Sequence, residues 1–154
     1  MRLSMQILLA GTLLTLTACT EHPKTSGPPY QVITDIHHTM ELIIDPAADL
    51  IWSSAGSIIT DAGEQDLAPT TADQWQNVEA AAAILAESGN LLMMPGRSAG
   101  ADWNRYSREL ISSGKLGLAA AEQQNADGLF DAGGAIYQAC LACHNQYLVD
   151  QETP

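Results

Sequence analysis

The sequence predicts an all-α fold, an antiparallel four-helix bundle, on three observations. Apolar residues recur at i, i+3, i+4 and i+7 over long stretches, which is the spacing of one helix face. The strongest turn residues, Pro, Gly and Asn, cluster at a few places and divide those stretches into four. No run of alternating β-branched residues is present, so no sheet is expected. No internal repeat at solenoid periods appears either. The 154 residues suffice for one domain with a modest core. Four amphipathic helices joined by short connections pack as antiparallel neighbours.

The first helix is expected from about Val32, with Ile33, Ile36, Met40, Ile43 and Ile44 as its apolar stripe. Pro46 lacks a backbone donor and clashes with the preceding turn, so a kink or break is expected at Asp45-Pro46. The helix then resumes from Ala47 to Ile59, with Leu50, Ile51, Trp52 and Ala55 inward, and a loop runs from Thr60 to Pro69. The second helix opens at Thr71-Ala72-Asp73-Gln74, a capping box in which Thr71 and Gln74 satisfy each other's backbone donors. Trp75, Val78, Ala82, Leu85 and Ala86 make its buried stripe. It ends at Gly89-Asn90 or extends towards Pro95. The third helix spans about Ala101 to Gln124, with Trp103, Tyr106, Leu110 and Leu118 inward and Gly114 and Gly117 weakening it midway. The fourth starts at about Asp127 and runs through Leu129, Gly133, Ile136, Tyr137 and Cys140 to Tyr147. Gly133-Gly134 costs about 1 kcal/mol per glycine relative to Ala, which points to close approach of a neighbouring helix or of a bound group. The three tryptophans, Trp52, Trp75 and Trp103, read as core.

The N-terminus precedes the fold. Arg2 and the apolar run from Met5 to Leu16 have the form of a signal peptide, too short and too rich in Thr to anchor as a spanning helix. Its end, Leu16-Thr17-Ala18-Cys19, resembles a bacterial lipobox. That resemblance implies cleavage before Cys19 and lipid on its sulfur. The organisation is then a signal peptide over 1–18, a flexible tether over 19–30 with three Pro and one Gly, and a helical domain over 31–150. The chain carries 6 Lys and Arg against 18 Asp and Glu, a net charge of −12; loss of Arg2 leaves five basic residues and −13. Such a charge excludes nucleic acid as a partner and makes anionic membrane surfaces repulsive, so membrane contact is expected through the lipid alone.

The motif that carries chemistry is Cys140-Leu141-Ala142-Cys143-His144, a CxxCH sequence on the last helix. Each thiol can add across one vinyl group of haem, and the two vinyls lie on adjacent pyrrole edges. On a helix Cys140 and Cys143 are i and i+3, and His144 is i+4 from Cys140, so all three share a face. The imidazole is then placed to meet the iron once the ring is pinned, which is why this spacing marks covalent haem attachment. Other uses of paired cysteines fit less well. A redox dithiol of the thioredoxin kind sits at a helix N-terminus after a strand. A structural zinc needs four ligands, and the only other cluster, His37-His38, projects two rings about 100° apart. A Cys140–Cys143 disulfide, which would make a redox-silent domain, leaves His144 without a role. The cysteine total agrees with haem: of three, one is lipidated and two are bound.

A CxxCH site on the last of four helices resembles the class II cytochromes c, the cytochrome c prime family. The likeness covers residues 31–148 and rests on Cys140 to His144, on Tyr147 three residues beyond, on Met40 in the first helix, and on the segment Asp45 to Trp52. It implies a left-handed four-helix bundle, leaves a homodimer open, and implies haem c as the cofactor. His144 is then one iron ligand and Met40, as in the low-spin members, the other; His37, one turn earlier, is an alternative to Met40. The family commonly has Arg or Lys after the aromatic residue, whereas this chain has Leu148.

The expected function is single-electron transfer in the periplasm by a protein held by its lipid, with the outer membrane favoured because Thr20 rather than Asp follows Cys19. A basic redox partner suits the acidic chain. The alternative is a gas-binding module for nitric oxide or carbon monoxide, which needs an open iron site. No acid/base or nucleophile pair accompanies the motif, so no enzyme is expected. Arg97, Arg105 and Arg108 are basic candidates for the haem propionates, with surface solvation the plainer role.

Overall fold

The computed structural model describes residues 30–148. The signal peptide, Cys19 and nearly all of the tether lie outside the described residues. The described chain is all-α in the main. It runs as α1 (Ile36–Thr39), a π-turn (Met40–Ile44), α2 (Asp45–Trp52), β1 (Ser57–Thr60), β2 (Gly63–Asp66), α3 (Ala72–Leu92), α4 (Ala101–Glu122) and α5 (Ala126–Tyr147). Among the described residues no helix is long and apolar enough to cross a membrane.

The first helix starts later than the apolar stripe predicts. Asp35 is its N-cap, its side chain accepting from the His38 amide at 2.8 Å, and Ile33 lies outside it, 82 % exposed. A polar cap outranks an apolar residue as a start signal because it satisfies an otherwise orphaned donor. Pro46 neither ends the helix nor leaves a gap. The helix widens into the π-turn, in which the Asp45 amide bonds to the Met40 carbonyl, and Pro46 falls in the first turn of α2.

Helix α2 stops at Trp52, seven residues short of the expected Ile59, and the segment read as helix and loop forms an antiparallel hairpin. Its register pairs Ser57 with Asp66, Ile58 with Gln65, Ile59 with Glu64 and Thr60 with Gly63. The physical reason is local. Gly56, at φ +78°, turns the chain out of the helix. The β-branched run Ile58-Ile59-Thr60 follows, and Asp61-Ala62 closes a two-residue turn. Both strands are exposed along their length, so no alternation of apolar residues advertises them.

The Thr71–Gln74 capping box opens α3 as expected. The helix passes Gly89-Asn90 and ends at Leu92, because Gly89 serves packing rather than termination. A Cβ there would run into the Ser107 carbonyl and Ile111 of α4. Gly114 makes the reciprocal approach: its Cβ would stand 2.6 Å from the Ala86 backbone nitrogen. Helices α3 and α4 therefore lie backbone to backbone, and α4 packs next most extensively on α5. Asn125 caps α5 by accepting from the Gly128 amide at 3.0 Å. Ile51, Val78, Leu85, Leu129 and Ile136 form the fully buried centre. Trp75 and Trp103 are core, but Trp52 is 36 % and Leu50 37 % exposed, so these two do not point inward as the pattern implies.

Candidate cofactor site

Helix α5 carries Cys140, Cys143 and His144 in its last two turns, where the regular i, i+3, i+4 spacing keeps them on one side. All three are half-buried. They line a cavity of about 230 Å³ that is walled on the far side by Met40, Ile44 and Ala48 and completed by Tyr106 and Leu110 of α4. Met40 and His144, 104 positions apart in sequence, thus share one cavity. His37 does not line it. That ring is 77 % exposed and meets Glu41, with 3.3 Å between Nδ1 and a carboxylate oxygen. Of the two side chains weighed as second ligand, only Met40 faces the cysteines' cavity.

Cys140 and Cys143 are not joined to each other. Burial pushes both thiols above their ordinary range; the Asp45 carboxylate adds to this at Cys140, and Cys140 and Glu109 add to it at Cys143. The helix C-terminus, with its partial negative charge, opposes thiolate formation as well. Neutral thiols in an apolar wall are the opposite of the activated thiolate that dithiol exchange needs. Among the described residues no three His, Cys, Asp or Glu side chains gather as an all-protein metal site requires. The donor set instead comprises two thiols three residues apart on one helix, an imidazole and a thioether around an apolar space. It fits haem attached through both sulfurs and ligated by nitrogen and sulfur. The volume lies just under the roughly 300–1,000 Å³ usual for small-molecule pockets. The rim residues Trp52, Leu141 and Tyr137 are 36 %, 39 % and 53 % exposed, so the cavity meets solvent on that side.

Four features in or beside the site escape the sequence pattern. Tyr106 reads as core but forms cavity wall, its hydroxyl donating to Gln146 Oε1 at 3.0 Å. Tyr137, placed by the sequence only within the fourth helix, is 53 % exposed and stacks edge-on against Trp52, ring centres 6.4 Å apart. Arg97 is buried rather than solvated, and it does not line the cavity. It donates to the Thr34 and Leu91 carbonyls and ties the approach to α1 to the α3–α4 loop. Arg105 is the cation attached to the site's wall, its guanidinium 4.1 Å from the Tyr106 ring centre. It also pairs with Glu109 at 3.0 Å. Arg108 is exposed. The aromatic–cationic contact of Arg105 is one that spacing alone cannot reveal, since Arg105 and Tyr106 are adjacent in sequence.

No family model matches the sequence, and comparison with curated proteins and with solved structures finds no match to it either.

Proposed function

We propose that the protein is a c-type cytochrome of the class II kind, a four-helix bundle with a C-terminal haem site that transfers single electrons. The observation carrying this reading is the convergence of Met40 with Cys140, Cys143 and His144 on one apolar cavity. Cys140 and Cys143 are the attachment points, and their spacing on α5 sets where the group is held. His144 supplies the nitrogen ligand from the same helix turn, and Met40 supplies sulfur from the opposite wall. Haem, when bound, provides a one-electron couple whose potential depends on axial ligands and burial. Ile44, Ala48 and Leu110 keep water from the interior side. Trp52 and Tyr137 form the solvent-side wall, where an electron partner can approach. Net charge of −13 on the processed chain favours a basic partner. The lipobox resemblance at Cys19 accounts for the odd cysteine and supports a periplasmic domain tethered to a membrane, with Thr20 after Cys19 favouring the outer one.

The test is acid–solvent extraction of the purified, denatured protein. The pigment is expected to stay with the polypeptide. Pigment passing into the solvent, or a colourless protein from a host competent in cytochrome c maturation, would refute the assignment. A high-spin spectrum with ready carbon monoxide binding would replace electron transfer by gas binding.

A further inference from the structure

The register of the first helix is set by one residue. In an uninterrupted α-helix, Met40 shares a face with Ile44, Ala47 and Ile51, at i+4, i+7 and i+11. Those three are the core stripe, 3 %, 4 % and 0 % exposed; of them Ile44 alone also reaches the edge of the cavity, while Ala47 and Ile51 do not line it. The neighbouring face belongs to Asp45, Ala48 and Trp52, all cavity residues, and its preceding position in an α-helix is Glu41. The π-turn adds one residue to that turn, with the Asp45 amide bonding to Met40 five residues back. Every residue before it therefore takes the angular place of its successor. Thr39 moves onto the core stripe and is fully buried, its hydroxyl donating to the Asp35 carbonyl. Met40 moves off the core stripe into the place of Glu41 and faces the cavity. Glu41 swings out to solvent, where it meets His37.

Pro46 explains why the extra residue is there. In a straight α-helix its ring would strike the Leu42 carbonyl and leave that acceptor without a donor. The π-turn ends just before it, so Pro46 instead occupies the tolerant first turn of α2. Loss of the ring removes the objection to α register, and α register presents a carboxylate rather than a thioether to the cavity.

We infer that Pro46, acting through the π-turn at Met40–Ile44, is a positioning residue that selects the Met40 sulfur over the Glu41 carboxylate as the side chain facing the iron. This rests on the haem reading, and the experiment separates the two. In holo-protein, Pro46→Ala is expected to lose at least half of the weak red sulfur–iron absorption band, to lower the reduction potential and to admit carbon monoxide to the reduced form. Adding Glu41→Met to Pro46→Ala should restore the band, whereas Glu41→Met alone should change nothing. Deleting Leu42, exposed in the π-turn, together with Pro46→Ala should keep the band, because removal of one residue returns Met40 to four before Asp45. A readout that does not involve iron accompanies these: carbodiimide labelling of Glu41, read by mass spectrometry, should fall in Pro46→Ala. A full band and unchanged labelling in Pro46→Ala overturn the inference, as does a band lost in the folded Leu42 deletion. A wild-type protein without the band, or a Met40→Ala variant that keeps it, overturns Met40 as the ligand; the labelling result then still decides the register.

Discussion

Trp52 on α2 donates its indole N–H to the carbonyl of Gly133 on α5 at 3.0 Å, pinning the two walls of the cavity to each other. A Cβ at 133 would stand 3.4 Å from the Trp52 ring, at van der Waals contact, so the two helices meet closely here. Trp52→Phe keeps most of the ring and loses the bond. The expected cost is about 1 kcal/mol, read as a shift in denaturant midpoint at constant slope. An unchanged midpoint would show that the bond adds nothing beyond ring packing.

The two glycines that look alike on paper should respond oppositely. At Gly114 a new methyl meets the Ala86 backbone at 2.6 Å, a neighbour that cannot rotate away. Gly114→Ala should destabilise by about 3 kcal/mol, the upper end of overpacking costs. At Gly134 nothing stands within 4 Å, so Gly134→Ala should stabilise by about 0.5–1 kcal/mol through helix propensity. Thermal unfolding of both variants decides the matter, and equal signs would contradict the packing.

Single replacement of either thiol tests their equivalence. Cys140→Ala or Cys143→Ala should leave one attachment and sharply lower the yield of haem protein, while the double variant should hold no covalent pigment. Yield unaffected by either change would rule out these sulfurs as the anchors. Met40→Ala bears on the opposite wall: it should leave the pigment covalently attached, abolish the sulfur–iron band and open the iron to carbon monoxide.

The start of α1 should depend on pH. The His38 amide and ring hold the Asp35 carboxyl below its ordinary value of 3.8, and the Asp35 carboxylate in turn holds His38 above 6.5. For Asp35, the lowered group, the contribution to folding is present above the ordinary carboxylate value and lost as pH falls through the lower folded value. For His38, the raised group, it is present below 6.5 and fades as pH climbs through the higher folded value. The cap is therefore firmest from about pH 4 to 6.5. Intrinsic-rate-corrected exchange protection of the His38 and Thr39 amides should peak in that window and fall on both sides. Protection that is flat with pH would show that the exposed pair does not hold the turn. Asp35→Asn should remove the acidic edge.

The proposed membrane attachment would turn on Cys19, outside the described residues. Two or three acyl chains anchor stably where one is marginal. The full chain should therefore sediment with membranes, and Cys19→Ser should appear soluble or unprocessed. Wild-type protein recovered from the periplasm without lipid by mass would end the lipoprotein reading.

What the sequence determines alone is whatever depends on neighbours within one helical turn. The grouping of Cys140, Cys143 and His144, the Thr71–Gln74 box and the helical class all follow from spacing, because a helix converts i, i+3 and i+4 into adjacency without help from the rest of the chain. The hairpin at Ser57–Asp66 was within reach through Gly56, the Ile-Ile-Thr run and Gly63, but its two exposed faces leave no alternation to read. Tertiary structure alone decides the remainder. Arg97 is buried because the Thr34 carbonyl, 63 positions away, and the nearby Leu91 carbonyl converge on it. Gly89 continues a helix instead of ending it because α4 lies against its backbone. Met40 faces the cavity because a π-turn before Pro46 shifts the register by one residue, and a shift of one residue moves every side chain before it to another face while leaving the apolar pattern in the sequence unchanged.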